Sequence, residues 1–142
     1  MRRLEDQKRR LEEKTSELVK RLADYGVEIA DISFGSAQYD GVNDVKVDFE
    51  EYDEFTRAVV ATGNAVLFIE FGAGATYGYG HPEPQSYGPG TYPGKGHWDD
   101  PNGWYYAHGK RSYGNPPSAS MYNARKQIEE DFTRIAQEVF RD

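Results

Sequence analysis

Leucines recur at every seventh position at the start of the chain, as Leu4, Leu11 and Leu18, and Tyr25 continues the series. Thr15, Val19 and Leu22 widen the stripe in its second half. Glu5/Arg9 and Glu17/Arg21 stand at the i,i+4 spacing that supports a helix. The pattern predicts a helix over residues 1–25 with Gly26 as its stop. About 24 residues make a rod of roughly 36 Å. Its first half carries single leucines among charges and is expected to project from the domain. From Val27 to Ser36 the pattern alternates, with Val27 and Ile29, then Ile32 and Phe34, and a phase change near Asp31. That reads as a strand with a bulge.

Tyr39-Asp40-Gly41 and Asn43-Asp44 are turn chemistry. Val45, Val47 and Phe49 then share one face, with Lys46, Asp48 and Glu50 on the other, as in a half-buried strand. Glu50–Glu54 form an acidic tip, and Phe55–Thr62 return as a further strand ending at Gly63. The five acids of 48–54 lack the ligand order and turn glycine of a calcium loop, so a solvated hairpin end is expected there. Ala65–Phe71 is apolar and must be buried, as helix or strand: Asn64 and Gly72 suit helix ends, whereas Val66, Phe68, Ile69 and Phe71 favour a strand. Glu70 lies inside this run and needs a partner, because an unpaired buried carboxylate is costly.

At the other end, Pro116-Pro117 bar helix, Ser118 or Ser120 can cap one, and Met121, Ala124 (or Arg125), Ile128, Phe132, Ile135 and Val139 form a continuous stripe. A helix over 118–140 is predicted, with Glu129, Glu130 and Asp131 facing solvent and the apolar side covering the sheet. The elements make one domain over residues 1–142, with a sheet region at 27–71 and a loop at 72–117. The fold class is α+β: a small antiparallel sheet of three to four strands packed against a long C-terminal helix, preceded by a long N-terminal helix.

Composition singles out the loop. Phe71–Pro117 holds 11 of the 15 glycines, all 7 prolines, both tryptophans, all 3 histidines and 7 of the 11 tyrosines. Glycine and proline at that density oppose regular structure, while so many large rings argue against a plain linker. A long aromatic loop in a small domain is usually functional, and its rings are expected to be buried on their own domain or a neighbouring chain. The net charge of −7 argues against non-specific nucleic-acid binding. Residues 1–24 nevertheless carry 8 basic and 6 acidic side chains, a mildly basic arm on an acidic body; a solvated helix face is the plainer reading, and head-to-tail contact between copies or with a partner of opposite sign is the functional one. There is no cysteine, no apolar run as long as a membrane span and no signal-peptide core. A soluble protein of a reducing cytoplasm, or of an assembly formed there, is expected.

Three function classes meet these residues. An enzyme or metal site would draw on His81, His97, His108, Glu83, Asp99 and Asp100, but their spacing matches no ligand motif. Gly94-Lys95-Gly96 lacks the strand-to-helix setting of a phosphate loop. No catalytic residue, metal or cofactor is therefore assigned. A carbohydrate-binding accessory domain would use Tyr77, Tyr79, Tyr87, Tyr92, Trp98, Trp104, Tyr105, Tyr106 and Tyr113 as stacking platforms. Protein–protein assembly would use the same rings, with Leu4 and Leu11, as subunit or partner interface. Glu70, Phe71, Gly72 and Gly74, with Met121 and Tyr122, would anchor the root of the loop.

Specific residues also resemble a known family. Ala65–Gly74 (AVLFIEFGAG), the Gly/Pro/Tyr stretch with Gly94-Lys95-Gly96, then Gly103-Trp104-Tyr105-Tyr106, Gly114-Asn115-Pro116-Pro117 and Met121-Tyr122-Asn123-Ala124 follow in an order similar to that of the minor tail component family of long-tailed bacteriophages and prophages. These are gene-product-ten-like tail-completion and head–tail joining proteins. The resemblance covers roughly residues 15–140 and departs from the family at Ala73 and at Ser118–Ser120. It implies a non-enzymatic α+β virion subunit without cofactor. Such a subunit forms a ring with its own copies in the neck or upper tail, beside tail-tube, tail-terminator or head-connector proteins. It is made in the host cytoplasm and has no membrane or sequence-specific nucleic-acid partner.

Overall fold

A computed structural model describes residues 2–75, 77, 80–83 and 100–141. The chain is α+β: helix α1 (Arg2–Gly35), strands β1 (Lys46–Asp53) and β2 (Thr56–Thr62), helix α2 (Val66–Phe71), strands β3 (Trp104–Tyr105) and β4 (Arg111–Ser112), and helix α3 (Ser120–Phe140). No described helix is long and apolar enough to cross a membrane.

The first helix does not stop at Gly26. It continues through the segment read as a strand, Val27–Ser36, and reaches Gly35, about 51 Å from its start at 1.5 Å per residue. Its inward face is an every-fourth-residue series, Leu18, Leu22, Gly26, Ala30 and Phe34, all buried except the half-buried Leu22. Gly26 and Ala30 are small, so this helical period is hidden in the sequence behind the apparent alternation of Val27, Ile29, Ile32 and Phe34. Gly26 serves as a contact point. A Cβ there would lie 2.7 Å from Ile128 Cδ1 and 3.0 Å from Val59 Cγ2, so glycine lets α3 and β2 close on α1 together. At the far end the Phe34 carbonyl accepts both the Asn43 side-chain amide at 2.9 Å and the Ala37 N–H at 3.3 Å, which closes the helix terminus.

Helix α3 runs antiparallel along α1. Contacts descend one helix as they climb the other: Arg21 with Glu138 (2.7 Å), Tyr25 with Asp131, and Ser33 with Ser120 (2.6 Å). Leu18, Ile135 and Val139 close one end of the seam. Ala30, Phe34, Ala65, Ile69 and Ala124 form the main core. The expected stripe of α3 is borne out at Ala124, Ile135 and Val139, whereas Phe132 is 47% exposed. Asp131, expected to face solvent, turns toward Tyr25. The Tyr25 hydroxyl, followed by Gln127, holds its carboxyl below the usual range.

Strands β1 and β2 form the predicted hairpin, Lys46 opposite Thr62 through Asp53 opposite Thr56, with a register shift between Glu51 and Asp53. In place of one sheet of three to four strands, the described residues form two separate two-stranded sheets. The larger hairpin leans chiefly on α1, which has taken the place assigned to α3. Phe49 is 37% exposed under the Arg57 guanidinium, 4.5 Å from the ring centroid, so that face is less buried than its alternation suggests. The Ala65–Phe71 run resolves as helix from Val66 onward, with Ala65 as its N-cap residue. Asn64 does not cap it with its side chain. The Asp44 carboxylate does so from the preceding turn, accepting from the N–H groups of Asn64 (2.8 Å) and Ala65 (2.9 Å), which depresses its pKa.

Gly26→Leu is expected to lower stability by roughly 1–3 kcal/mol through overpacking at this three-way contact. Gly35→Ala, where an added Cβ meets nothing, should be neutral or slightly stabilising. Thermal and urea unfolding read both, and equal losses at the two positions would rule out the packing explanation.

Candidate functional site

The loop root is built where the C-terminus of α2 meets the N-terminus of α3. The last carbonyls of α2 are answered by the segment before α3: Phe68 by the Asn115 side-chain amide (2.9 Å), Ile69 by the Ser118 N–H (2.8 Å) and Glu70 by the Ala119 N–H (3.1 Å). In return Glu70 reaches across to α3, where its Oε1 accepts the Met121 N–H at 2.5 Å. A carboxylate there satisfies an orphan donor and meets the positive end of the helix dipole. Neither Ser118 nor Ser120 makes a side-chain cap bond to the helix, and the N-cap residue is Ala119 at φ 50. Their hydroxyls bond each other at 2.7 Å, and Ser120 also meets Ser33.

The partner that Glu70 requires is His81, a residue the sequence offered only as an acid/base or metal candidate. His81 Nδ1 accepts the Glu83 backbone N–H at 2.9 Å, so the ring hydrogen lies on Nε2, which faces Glu70 Oε2 at 3.4 Å. That approach is long and poorly directed, and neither atom has a conventional hydrogen bond. Both residues are buried, Glu70 to 4% and His81 to 7% exposure. Phe71 packs 4.4 Å from the imidazole and Tyr122 meets it edge-on at 5.8 Å. Burial drives the Glu70 carboxyl above its ordinary pKa, opposed by the Met121 amide and by His81. Glu83 beside it is held below the usual range by Arg125, 2.8 Å away.

Ala73 and Asn115 pair across the root, each donating to the other's carbonyl at 3.0 Å. Gly72, at φ 80, closes α2 as expected. Gly74 and Gly114 permit the strands of the root to touch. A Cβ on Gly114, at φ 110, would lie 2.0 Å from the Ala73 carbonyl oxygen. The six anchor residues, Glu70, Phe71, Gly72, Gly74, Met121 and Tyr122, therefore come together. Asn115 and His81 complete the site and carry no sequence pattern that marks them.

The expectation of a structureless loop is corrected in its second half. Strands β3 and β4 pair Trp104 with Ser112 and Tyr105 with Arg111. This small hairpin docks on the turn after α1: Ser112 Oγ donates to the Asp40 carboxylate at 2.9 Å, and Tyr106 meets Tyr39 edge-on at 6.1 Å. Trp104, assigned to an interface, is 5% exposed and buried in its own chain, and Tyr106 is half-buried there. The remaining described rings do face out: Tyr77 at 45%, Tyr105 at 69% and Tyr113 at 52% exposure, as do Leu4 at 67% and Leu11 at 58%. The Arg111 guanidinium lies 5.7 Å from the Tyr105 ring and 5.1 Å from the Tyr113 ring. Tyr79, Tyr87, Tyr92 and Trp98 lie outside the described residues, as do His97 and Asp99. Among the described residues no three His, Cys, Asp or Glu side chains converge as a metal site would require.

Beside the root runs an apolar groove of about 620 Å³. Val59, Ala61 and Arg57 of β2 line it together with Met121, Ala124, Arg125 and Ile128 of α3, Val66, Leu67 and Phe71 of α2, and His81. A second cleft of about 320 Å³ adjoins it under the hairpin end, sharing Arg57, Val59 and Ile128 and lined also by Val19, Leu22 and Ala23 of α1. Fold and site thus define an α+β domain with an anchored aromatic loop beside an open apolar groove. Comparison of the chain with protein-family models, curated proteins and solved structures finds no match in any of the three.

Because the folded Glu70 pKa lies above the ordinary 4.5, the folded state holds this proton more tightly than the unfolded chain does. The stability it contributes is complete below 4.5 and is lost as pH rises through the shifted value. Glu70→Gln keeps an acceptor for Met121 and removes the buried charge. Its stability relative to the parent should grow as pH rises above 4.5 and fade toward pH 4.5 in urea titrations; a pH-independent difference would refute the assignment. Gly114→Ala should lower stability by about 1–3 kcal/mol or more and speed amide exchange at Ala73 and Asn115. Gly109→Ala, which shares a positive φ of 85 but faces open space, should leave those two amides protected.

Proposed function

We propose that this chain is a structural subunit of a bacteriophage neck or upper tail. It assembles with its own copies as a ring that completes the tail or joins it to the head connector. The observation that carries the reading is a helix that outruns its partner. The end of α3 at Phe140 lies level with Gln7, Arg10 and Leu11, which line a shallow cleft with it. Every residue from Arg2 to Glu13 is exposed, and Leu4 and Leu11 continue the same stripe that is buried further along. An apolar stripe prolonged beyond the domain, together with exposed rings on an anchored loop, suits a subunit whose burial is completed by neighbours. The family resemblance names the assembly, with tail-tube, tail-terminator or connector proteins as further partners.

The carbohydrate-binding reading loses one of its two tryptophans, since Trp104 is turned inward. The helix-capping bond of Glu70 supports reading the site root as a structural junction.

Purified tailed particles should contain the chain as a ring at neck level in cryo-electron microscopy density. A phage lacking it should accumulate filled heads without attached tails. Normally tailed, infectious particles made without the chain would refute the reading.

A further inference from the structure

We infer that the apolar trough between β2 and α3 is the receptor for the N-terminal arm of α1 from a second copy of the chain. This rests on the assembly reading above and specifies which two surfaces meet.

The arm does not bury its own leucines. Leu11 meets the last turn of α3 only at Phe140 and stays 58% exposed, and Leu4, 67% exposed, lies a further two turns out on the same unbroken helix, Arg2–Gly35, which cannot fold back. Leu4 and Leu11 lie two turns apart on one face, about 10.5 Å along the axis. The trough has the complementary character. It is walled by Val59 and Ile128 and extends under Phe55, itself 45% exposed.

Charge supports the pairing. Residues 2–10 carry five basic side chains, Arg2, Arg3, Lys8, Arg9 and Arg10, against Glu5 and Asp6. Residues 48–54, at the hairpin end over the trough, carry five acids and no base. At the other end Glu83 and Glu129 are balanced by Arg125 and Lys126, so the acidic excess lies at the hairpin end. The two cations of the trough are already engaged, Arg57 with Glu51 (3.7 Å) and Arg125 with Glu83 (2.8 Å). A leucine-bearing basic helix therefore meets an apolar floor with an acidic rim.

Arm and trough are different surfaces of one chain. Made one way and repeated around an axis, their contact closes a ring when the rotation closes; exchanged reciprocally, it closes a two-fold dimer.

The chain has no cysteine, so single thiols report contacts cleanly. Gln7→Cys marks the arm between its leucines and Thr56→Cys marks the trough, with the apolar contacts intact. Oxidation of the two variants mixed together should give the mixed disulfide several-fold above either homodimer. Adding Leu4→Glu and Leu11→Glu should abolish it and weaken self-association, followed by light scattering, on the order of a hundredfold. Gln7-to-Gln7 linkage in excess would mean that arms pair with each other and would overturn the proposal. So would a Thr56→Cys thiol that resists a small alkylating reagent in dilute monomer, because the chain's own segment would then fill the trough. A ring seen by light scattering without the mixed disulfide overturns the arm–trough contact and leaves the assembly reading standing. The mixed disulfide from a chain absent from tailed particles supports the contact and removes the virion reading. A chain that stays monomeric at every concentration and never cross-links overturns the contact as well.

Discussion

A single carboxylate ties this molecule together. Glu70 ends the short helix α2 inside an apolar run and caps α3 through the Met121 amide at 2.5 Å. Burial disfavours its charge, while the start of a 21-residue helix and the His81 ring favour it. Replacing that group with nothing would leave a buried amide without an acceptor at the helix start. The chain enters the long loop two residues after Glu70 and leaves it just before α3, so this one contact fixes both ends of the loop.

The same junction explains why a loop so rich in glycine and proline is nonetheless rooted. The Ala73–Asn115 pair and the Asn115 side chain satisfy backbone groups that would otherwise be stranded where α2 ends. Close approach at that point is possible because Gly74 and Gly114 bring no side chain between the strands. Further out, Asp40 holds the β3–β4 hairpin, which turns Trp104 inward and leaves Tyr105 and Tyr113 outward. Ring burial is thus divided between the chain's own domain and whatever meets its surface.

Surface and core are linked through α1. One continuous helix supplies both the inner wall of the domain and the exposed arm, so any partner that grips the arm acts on a lever set rigidly in the core. The hairpin end packs beside Val19, Leu22 and Ala23, so the acidic turn and the arm are both carried by this one helix.

Much was legible in the amino-acid order. The two terminal helices, the 46–62 hairpin, the buried Ala65–Phe71 run and the requirement for a partner at Glu70 all follow from local periodicity, turn residues and the cost of a lone buried charge. The course of α1 past Gly26 was not legible. Its inward positions there are glycine and alanine, whose burial depends on how closely α3 and β2 approach and leaves no hydrophobic signature. Nor could spacing assign His81 to Glu70 or Asp44 to the start of α2, since both contacts join residues brought near each other only by packing. Local pattern determined which segments are helix or hairpin and which must be buried. Tertiary structure decided which small residues form the helix crossing, which side chains answer the stranded backbone groups, and which rings remain outside, because each depends on distances between elements that no sequence period encodes.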